Sequence, residues 1–316
     1  MVKSNTTGGV LMKKTSRLPL IALILFCLWG SWRQCVFAQD QIPHRPALER
    51  PLKRVLEVHE MGWMADTVSL PPFTFPSAFK GTATNEISDS ISLLSPVFEH
   101  LRQVRAGLAM DTVRIVHIGD SHIRGHIFPQ TTDSLMRKAF GSVCYTDMGV
   151  NGATCLTFTH PKRVADIAEL KPELLILSFG TNESHNRRYD ANVHYHQMDE
   201  LIGLLQESMP GVPILLTTPP GSYESFRQRR KKRTYKINPR TVTAVETIRK
   251  YAEEHHLLVW DMYNVVGGEE RACLNWTEAG LMRPDHVHYL PEGYTLQGNL
   301  LYQAIVQAYN KYVITR

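Results

Sequence analysis

Five short apolar runs punctuate the chain: Val113–Ile118, Ser142–Thr146, Leu174–Phe179, Val212–Thr217 and Leu257–Asp261. Their length and their share of Val, Ile and Leu mark them as strands buried on both faces. Between and after them, apolar residues recur at helical spacing, which predicts helices near Gln130–Phe140, Val164–Leu170, Asn192–Ser208, Pro239–His255 and Tyr294–Tyr312. Parallel strands need crossover connections, and helical crossovers lie over the sheet, so this alternation specifies an α/β protein with a parallel sheet covered on both sides. The stretch from Val113 onward supplies about 200 residues, enough for one such core, and no internal repeat divides it. Local signals agree: Asn238 can cap a helix with Pro239 in its first turn, and Ser95 with Pro96 can open an earlier helix carrying Val97, Phe98, Leu101 and Val104.

The amino-terminal part has another character. Lys13, Lys14 and Arg17 precede the apolar stretch Leu18–Trp29, and Val36-Phe37-Ala38 offers a cleavage point. Such a core is shorter than the roughly 20 residues of a membrane span, so residues 1–38 read as a signal peptide, with an uncleaved anchor as the lesser alternative. Export to the periplasm or cell envelope follows. Lipid attachment is disfavoured, because large residues precede both Cys27 and Cys35. Residues 39–108 form a proline-punctuated extension that ends in the helix after Ser95, and Trp63, Phe73, Phe75 and Phe79 suggest that parts of it dock on the domain at 109–316.

Charge narrows the function classes. The 35 Lys and Arg exceed the 30 Asp and Glu only through the five basic residues of 1–38, so the exported chain is near neutral and nothing global points to nucleic acid. One local exception is the run containing Arg227, Arg229, Arg230, Lys231, Lys232 and Arg233. It reads as a solvated loop, or more sharply as a contact for anionic cell-wall polymer or lipid head groups. Cys144, Cys155 and Cys273 lie beyond the signal; two could pair in an oxidising compartment, and the sequence does not choose which.

Chemistry concentrates at the strand ends. Gly119-Asp120-Ser121-His122 closes the first run and puts a hydroxyl at the carboxyl edge of a buried strand, where open α/β sheets bind their ligands. Gly149-Val150-Asn151-Gly152-Ala153-Thr154, Phe179-Gly180-Thr181-Asn182-Glu183 and Asp285-His286-Val287-His288 follow in order. Acyl transfer by a serine needs a base within reach and donors aimed at the oxyanion. His288 and Asp285 can provide the base and its orienting acid. The amides of Ser121 and Gly152 and the side chain of Asn182 can provide the donors.

This order of motifs, from Val113 to Tyr312, resembles the SGNH (GDSL-like) hydrolase superfamily. The resemblance implies a three-layer α/β/α sandwich with a flavodoxin-like parallel sheet of about five strands and no metal or cofactor. It casts Ser121 as nucleophile, Asp285 and His288 as acid and base, and Ser121, Gly152 and Asn182 as the oxyanion hole. No Gly-x-Ser-x-Gly occurs, so the nucleophile elbow of α/β-hydrolases is not the pattern. His122 stands where lipase-like members have leucine, block three reads Gly-Thr-Asn-Glu, and the last block runs Asp-x-Val-His-x-x-x-x-Gly-Tyr. These departures resemble the envelope branch that includes bacterial peptidoglycan O-acetylesterases, and they imply an O-acetylated glycan as substrate.

His122, Arg124 and Arg283 are candidate substrate contacts, and His126, His185 and Arg187 flank the expected pocket. His286 reads as a solvent-facing loop residue, and Thr217–Ser222 as one wall. Three other readings compete. His117, Asp120, His122, Asp285 and His288 resemble a metal-ligand set for a phosphoesterase, though the Gly-Asn-His such enzymes carry is missing. The same fold could transfer acetyl to a sugar, or bind glycan without turnover.

Overall fold

The computed structural model describes residues 66–227 and 232–316. The expectations for residues 1–38, for 39–65 with Trp63, and for Arg229, Arg230 and Lys231 fall outside them. Strands β1 (Ile87–Ser88), β2 (Val113–Gly119), β3 (Val143–Gly149), β4 (Leu174–Ser178), β5 (Ile214–Thr217) and β8 (Leu258–Trp260) form one sheet in the order β1-β8-β5-β4-β2-β3. The five expected strands are all parallel, and in chain order they run 2-1-3-4-5, the flavodoxin-like arrangement. A sixth strand, β1, adds an antiparallel edge on β8. Two residues carry too little pattern to be read as a strand.

Alternation along the strands feeds two cores. Ile115, Ile176, Leu215 and Leu258 face one layer of helices, and Val116, Ile118, Leu175, Leu177 and Leu216 face the other. Helices Ser95–Arg105, Ile127–Phe140 and Pro291–Thr315 cover the first face through Phe98, Leu101, Phe128, Phe140, Leu301 and Ile305. On the second, Pro161–Glu169, Ala191–Ser208 and Arg240–Glu254 contribute Ile167, Leu201, Leu205, Ile248 and Tyr251. Full burial of each large apolar side chain contributes about 1.5–3 kcal/mol relative to exposure, so the three-layer sandwich follows from where the sequence places its apolar residues.

Two caps differ from expectation. Ser95 is the first helical residue and Leu94 the cap, and the carboxylate of Asp89 accepts from the amides of Leu93 and Leu94 at 2.8 and 3.1 Å. Asn238 sits one residue ahead of the cap Pro239, yet its Oδ1 still accepts from the Arg240 amide at 3.2 Å. The described part of the extension lies on the domain. Asn310 accepts from the Val68 amide and donates to its carbonyl, each at 2.8 Å, and Phe79 packs edge-on to Trp276 with centroids 5.1 Å apart. Asn85 donates to the Leu300 carbonyl and accepts from Trp260 Nε1.

The basic run lies in a feature the sequence reading missed. Strands β6 (Tyr223–Phe226) and β7 (Thr234–Ile237) pair as an antiparallel hairpin, and Arg227, Lys232 and Arg233 lie in its connection. No disulfide joins Cys144, Cys155 and Cys273. Cys144 lies opposite Arg114 near the start of β3, whereas Cys155 follows its far end, with most of a seven-residue strand between them.

Candidate active site

Strand order reverses between β2 and β4, and a parallel sheet opens a crevice at the carboxyl ends of such a pair. Ser121 follows β2, Gly152 follows β3 and Asn182 follows β4. The short helix Ser121–Arg124 passes so close over the strand ends that only glycine fits beneath it: a Cβ on Gly119 would stand 2.6 Å from Ile123 Cγ1, and one on Gly149 2.1 Å from the Arg124 amide nitrogen. Asp120 caps this helix, its Oδ1 accepting from the His122 amide at 2.8 Å. Burial, together with repulsion from Glu183, pushes its carboxyl up to about 8.

Opposite stands the loop after helix Gly268–Glu278. His288 Nε2 lies 2.9 Å from Ser121 Oγ, and His288 Nδ1 lies 3.0 Å from Asp285 Oδ2. An ionised carboxylate can only accept, so Nδ1 carries the imidazole proton and Nε2 is left to accept the serine O–H. Burial alone would raise the Asp285 pKa. The amides of His288 and Val287, each 2.9 Å from Oδ1, and the imidazole outweigh it and hold the carboxyl below its usual range.

The expected oxyanion donors follow the carboxyl ends of adjacent strands, and Asn182 bonds Asp120, the residue before Ser121. The Ser121 amide opens its helix and has no carbonyl four residues back to bond, and Gly152 sits exposed in the left-handed region at φ +72. Asn182 Nδ2 donates to the Ala153 carbonyl at 2.9 Å and to Asp120 Oδ2 at 3.3 Å. One of these bonds must yield for Asn182 to reach an oxyanion, and the longer is the weaker.

The remaining candidates separate. His122 is buried: its Nδ1 meets the Tyr294 hydroxyl oxygen at 3.0 Å, and its ring lies 5.5 Å from that of His288. Burial first, and then the nearby His288, depress its pKa to about 3. It is a neutral floor under the base, so direct substrate contact is not what this placement offers. The final Gly-Tyr of the last motif now has a reason: Tyr294 bonds His122, and a Cβ on Gly293 would crowd the Leu281 carbonyl at 2.9 Å.

Arg124 is exposed and reaches His126, which in turn bonds Asp147. Arg283 is exposed too, and its amide closes the loop on the His288 carbonyl at 2.8 Å. His185 bonds Ser222 Oγ at 2.9 Å, and Arg187 lies over Phe226. His286 corrects the solvent-facing expectation. At φ +58 its ring sits against Tyr235 and Tyr223, with centroids 4.2 and 5.2 Å away, and its carbonyl accepts from the Tyr223 amide. The hairpin thus grips the loop that carries His288, a contact no local string announces.

The metal-ligand set read from the sequence does not assemble, because His117 lies in the sheet with its nitrogens on Tyr145 and Ser178, both at 2.7 Å. Among the described residues, the group with ligand atoms close enough to hold an ion is Cys155, Glu183 and His194, all buried. Glu183 is occupied otherwise: its two oxygens accept the amides of Cys155 and Gly180, each at 2.9 Å. It thereby ties the Gly152 loop to the Asn182 loop, a role the sequence reading did not assign.

A 2-1-3-4-5 sheet with a serine, an imidazole and a carboxylate in line at its switch point defines a three-layer hydrolase of the SGNH kind. The model of the GDSL-like lipase/acylhydrolase family matches residues 118–296, more than half of the chain, and the protein belongs to that family. No curated protein matches the chain in sequence. Among solved structures, a peptidoglycan O-acetylesterase superposes with a TM-score of 0.61 at 16% identity, covering 71% of this chain and 99% of that one. A GDSL-like lipase from Bacteroides thetaiotaomicron gives 0.46 at 21% identity, over 68% of this chain and 99% of that one. A carbohydrate acetylesterase from Sinorhizobium meliloti gives 0.48 at 11% identity, over 62% and 100%.

Proposed function

We propose that this protein is an exported serine esterase that removes O-acetyl groups from a cell-envelope glycan. The observation that carries the reading is the 2.9 Å contact between Ser121 Oγ and a His288 whose tautomer Asp285 fixes. Nε2 of His288 takes the hydroxyl proton as Oγ bonds to the acetyl carbonyl carbon, and the charge passes to the carbonyl oxygen. The amides of Ser121 and Gly152 and the Asn182 side chain face that oxygen. Collapse breaks the ester C–O bond, and His288 returns the proton to the departing sugar oxygen. Water, giving its proton to the same base, then attacks the acetyl-serine carbonyl; the bond to Ser121 Oγ breaks, His288 returns the proton to the serine, and the acetyl group leaves as acetate.

Three features support a glycan over a long acyl chain. The side chains of His288 and Asp285 are 32% and 45% exposed, an openness that suits esters displayed on a polymer surface. His122, buried beneath His288 and out of substrate reach, stands where lipase-like members have leucine and so matches the O-acetylesterase-like motif pattern. The peptidoglycan O-acetylesterase that shares the fold acts on an acetylated envelope polymer, and the signal-like residues 1–38 would carry this protein to one. Acetate release from O-acetylated peptidoglycan, compared with acetylated xylan and a long-chain ester, tests the reading. Release from peptidoglycan that depends on Ser121 is expected; preference for the long-chain ester overturns it. Adding a glycan acceptor separates hydrolysis from transfer.

A further inference from the structure

The β6–β7 hairpin is locked at its root to both sides of the site. Tyr223 and Tyr235 hold His286, two residues before His288, while Ser222 Oγ meets His185 Nε2 at 2.9 Å. Glu224 pairs with Arg240 at 2.7 Å, and Arg240 in turn donates to the Ser184 carbonyl beside the Asn182 segment. That pairing uses the one carboxylate among the hairpin's described residues. Arg227, Lys232, Arg233 and Lys236 are exposed, and none is in an ion pair with a described residue. The Phe226 ring lies between two cations, 5.9 Å from the Arg187 guanidinium and 5.8 Å from the Lys236 ammonium.

We infer that this hairpin is a substrate-holding arm, which binds a negatively charged glycan chain beside the ester to be cleaved. The inference deepens the esterase reading and rests on it for the location of that ester. Unneutralised cations next to a cleft raise the local concentration of anionic ligands and give contacts that salt weakens. Fixed at its root to the base loop and to the Asn182 segment, the arm would hold a bound chain in register with Ser121. A polymer bearing carboxylates fits better than a lipid surface. Among the described residues the large exposed apolar side chains, Ile91, Leu108, Met110, Leu156, Val193 and Ile314, all lie elsewhere, so the arm's described residues offer no exposed apolar anchor for a bilayer.

Binding can be measured without turnover, in the full chain carrying Ser121→Ala. Polygalacturonate should bind about tenfold more tightly than neutral xylan in low salt, and the preference should fade as salt is raised. Adding Arg227→Ser, Lys232→Ser, Arg233→Ser and Lys236→Ser together should remove the preference with the melting temperature unchanged. Equal binding of polygalacturonate by the two proteins overturns the inference, as does binding to phosphatidylglycerol vesicles in place of polygalacturonate. In the parent enzyme, the same four changes should lower kcat/KM for acetylated polygalacturonate relative to acetylated xylan by a similar factor. Neither binding outcome depends on acetate release, so the arm and the esterase reading can fail separately.

Discussion

Ser121 and His288 meet at one point but are held there by different means. The serine stands on the sheet: Asp120 beneath it is 1% exposed, and Gly119 and Gly149 let its helix settle onto the strand ends. Its partner stands on a partly exposed loop with a left-handed residue at His286, gripped by Tyr223 and Tyr235 and underlain by the buried His122, which Tyr294 holds. Topology places the nucleophile, and a set of side-chain clamps places the base. Damage beneath the serine should therefore register as lost stability, whereas damage to the clamps should register as lost turnover in a folded protein.

The largest effect expected is that of Ser121→Ala, on the order of 10⁴-fold or more in kcat on an acetyl ester, with an unchanged melting curve; full residual activity would falsify the mechanism. Asn182→Ala should cost about 10²- to 10³-fold, and because Asn182 also bonds Ala153 and Asp120, a small drop in melting temperature should accompany it. Two variants then set the halves of the site against each other. Gly149→Ala forces a Cβ against the Arg124 amide and should destabilise the fold by about 1–3 kcal/mol in denaturant unfolding. Tyr235→Ala should instead lower kcat about tenfold through misplacement of the base loop, with little change in the unfolding midpoint. If Tyr235→Ala proves as destabilising as Gly149→Ala, the contrast between sheet and clamps collapses.

The smallest effect is one of pH. Burial depresses His117 to about 3. Below the ordinary value of 6.5, the unfolded chain therefore takes up a proton that the folded chain refuses. Its contribution to stability is full above that value and declines as pH falls toward the folded value; the lowered carboxyl of Asp285 acts in the same direction at more acid pH. Asp120 acts oppositely, because a folded pKa raised to about 8 means that stability falls as pH rises from 3.8 toward 8. Melting temperatures of His117→Gln between pH 6.5 and 4 should decline less steeply than those of the parent, and parallel curves would remove His117 from the account.

Legibility in the sequence followed the same division. The five parallel strands could be read because burial on both faces leaves near-continuous apolar runs, and the strings at their ends gave Ser121, Gly152 and Asn182 their places at one edge. Less visible was everything that holds the base. Tyr223-Glu224-Ser225-Phe226 is half-buried throughout and does not alternate, and Thr234-Tyr235-Lys236-Ile237 alternates over only four residues directly after a basic run, too short a pattern to mark a strand. His286 reads as solvent-facing because its aromatic neighbours come from about fifty to sixty residues upstream, and only the fold brings them together. His122 and Tyr294 were both noticed as motif residues, but sequence spacing cannot disclose a hydrogen bond across 172 positions.

The late position of His288 also bears on when the enzyme becomes dangerous to its surroundings. All five parallel strands, with Ser121 and Asn182, precede it in the chain, and the long helix Pro291–Thr315 that follows must pack before the loop is held at both ends. A chain emerging from synthesis therefore presents its nucleophile without a base. Competence to cleave arrives only once the segment carrying Asp285 and His288 has packed against the sheet edge that holds Ser121.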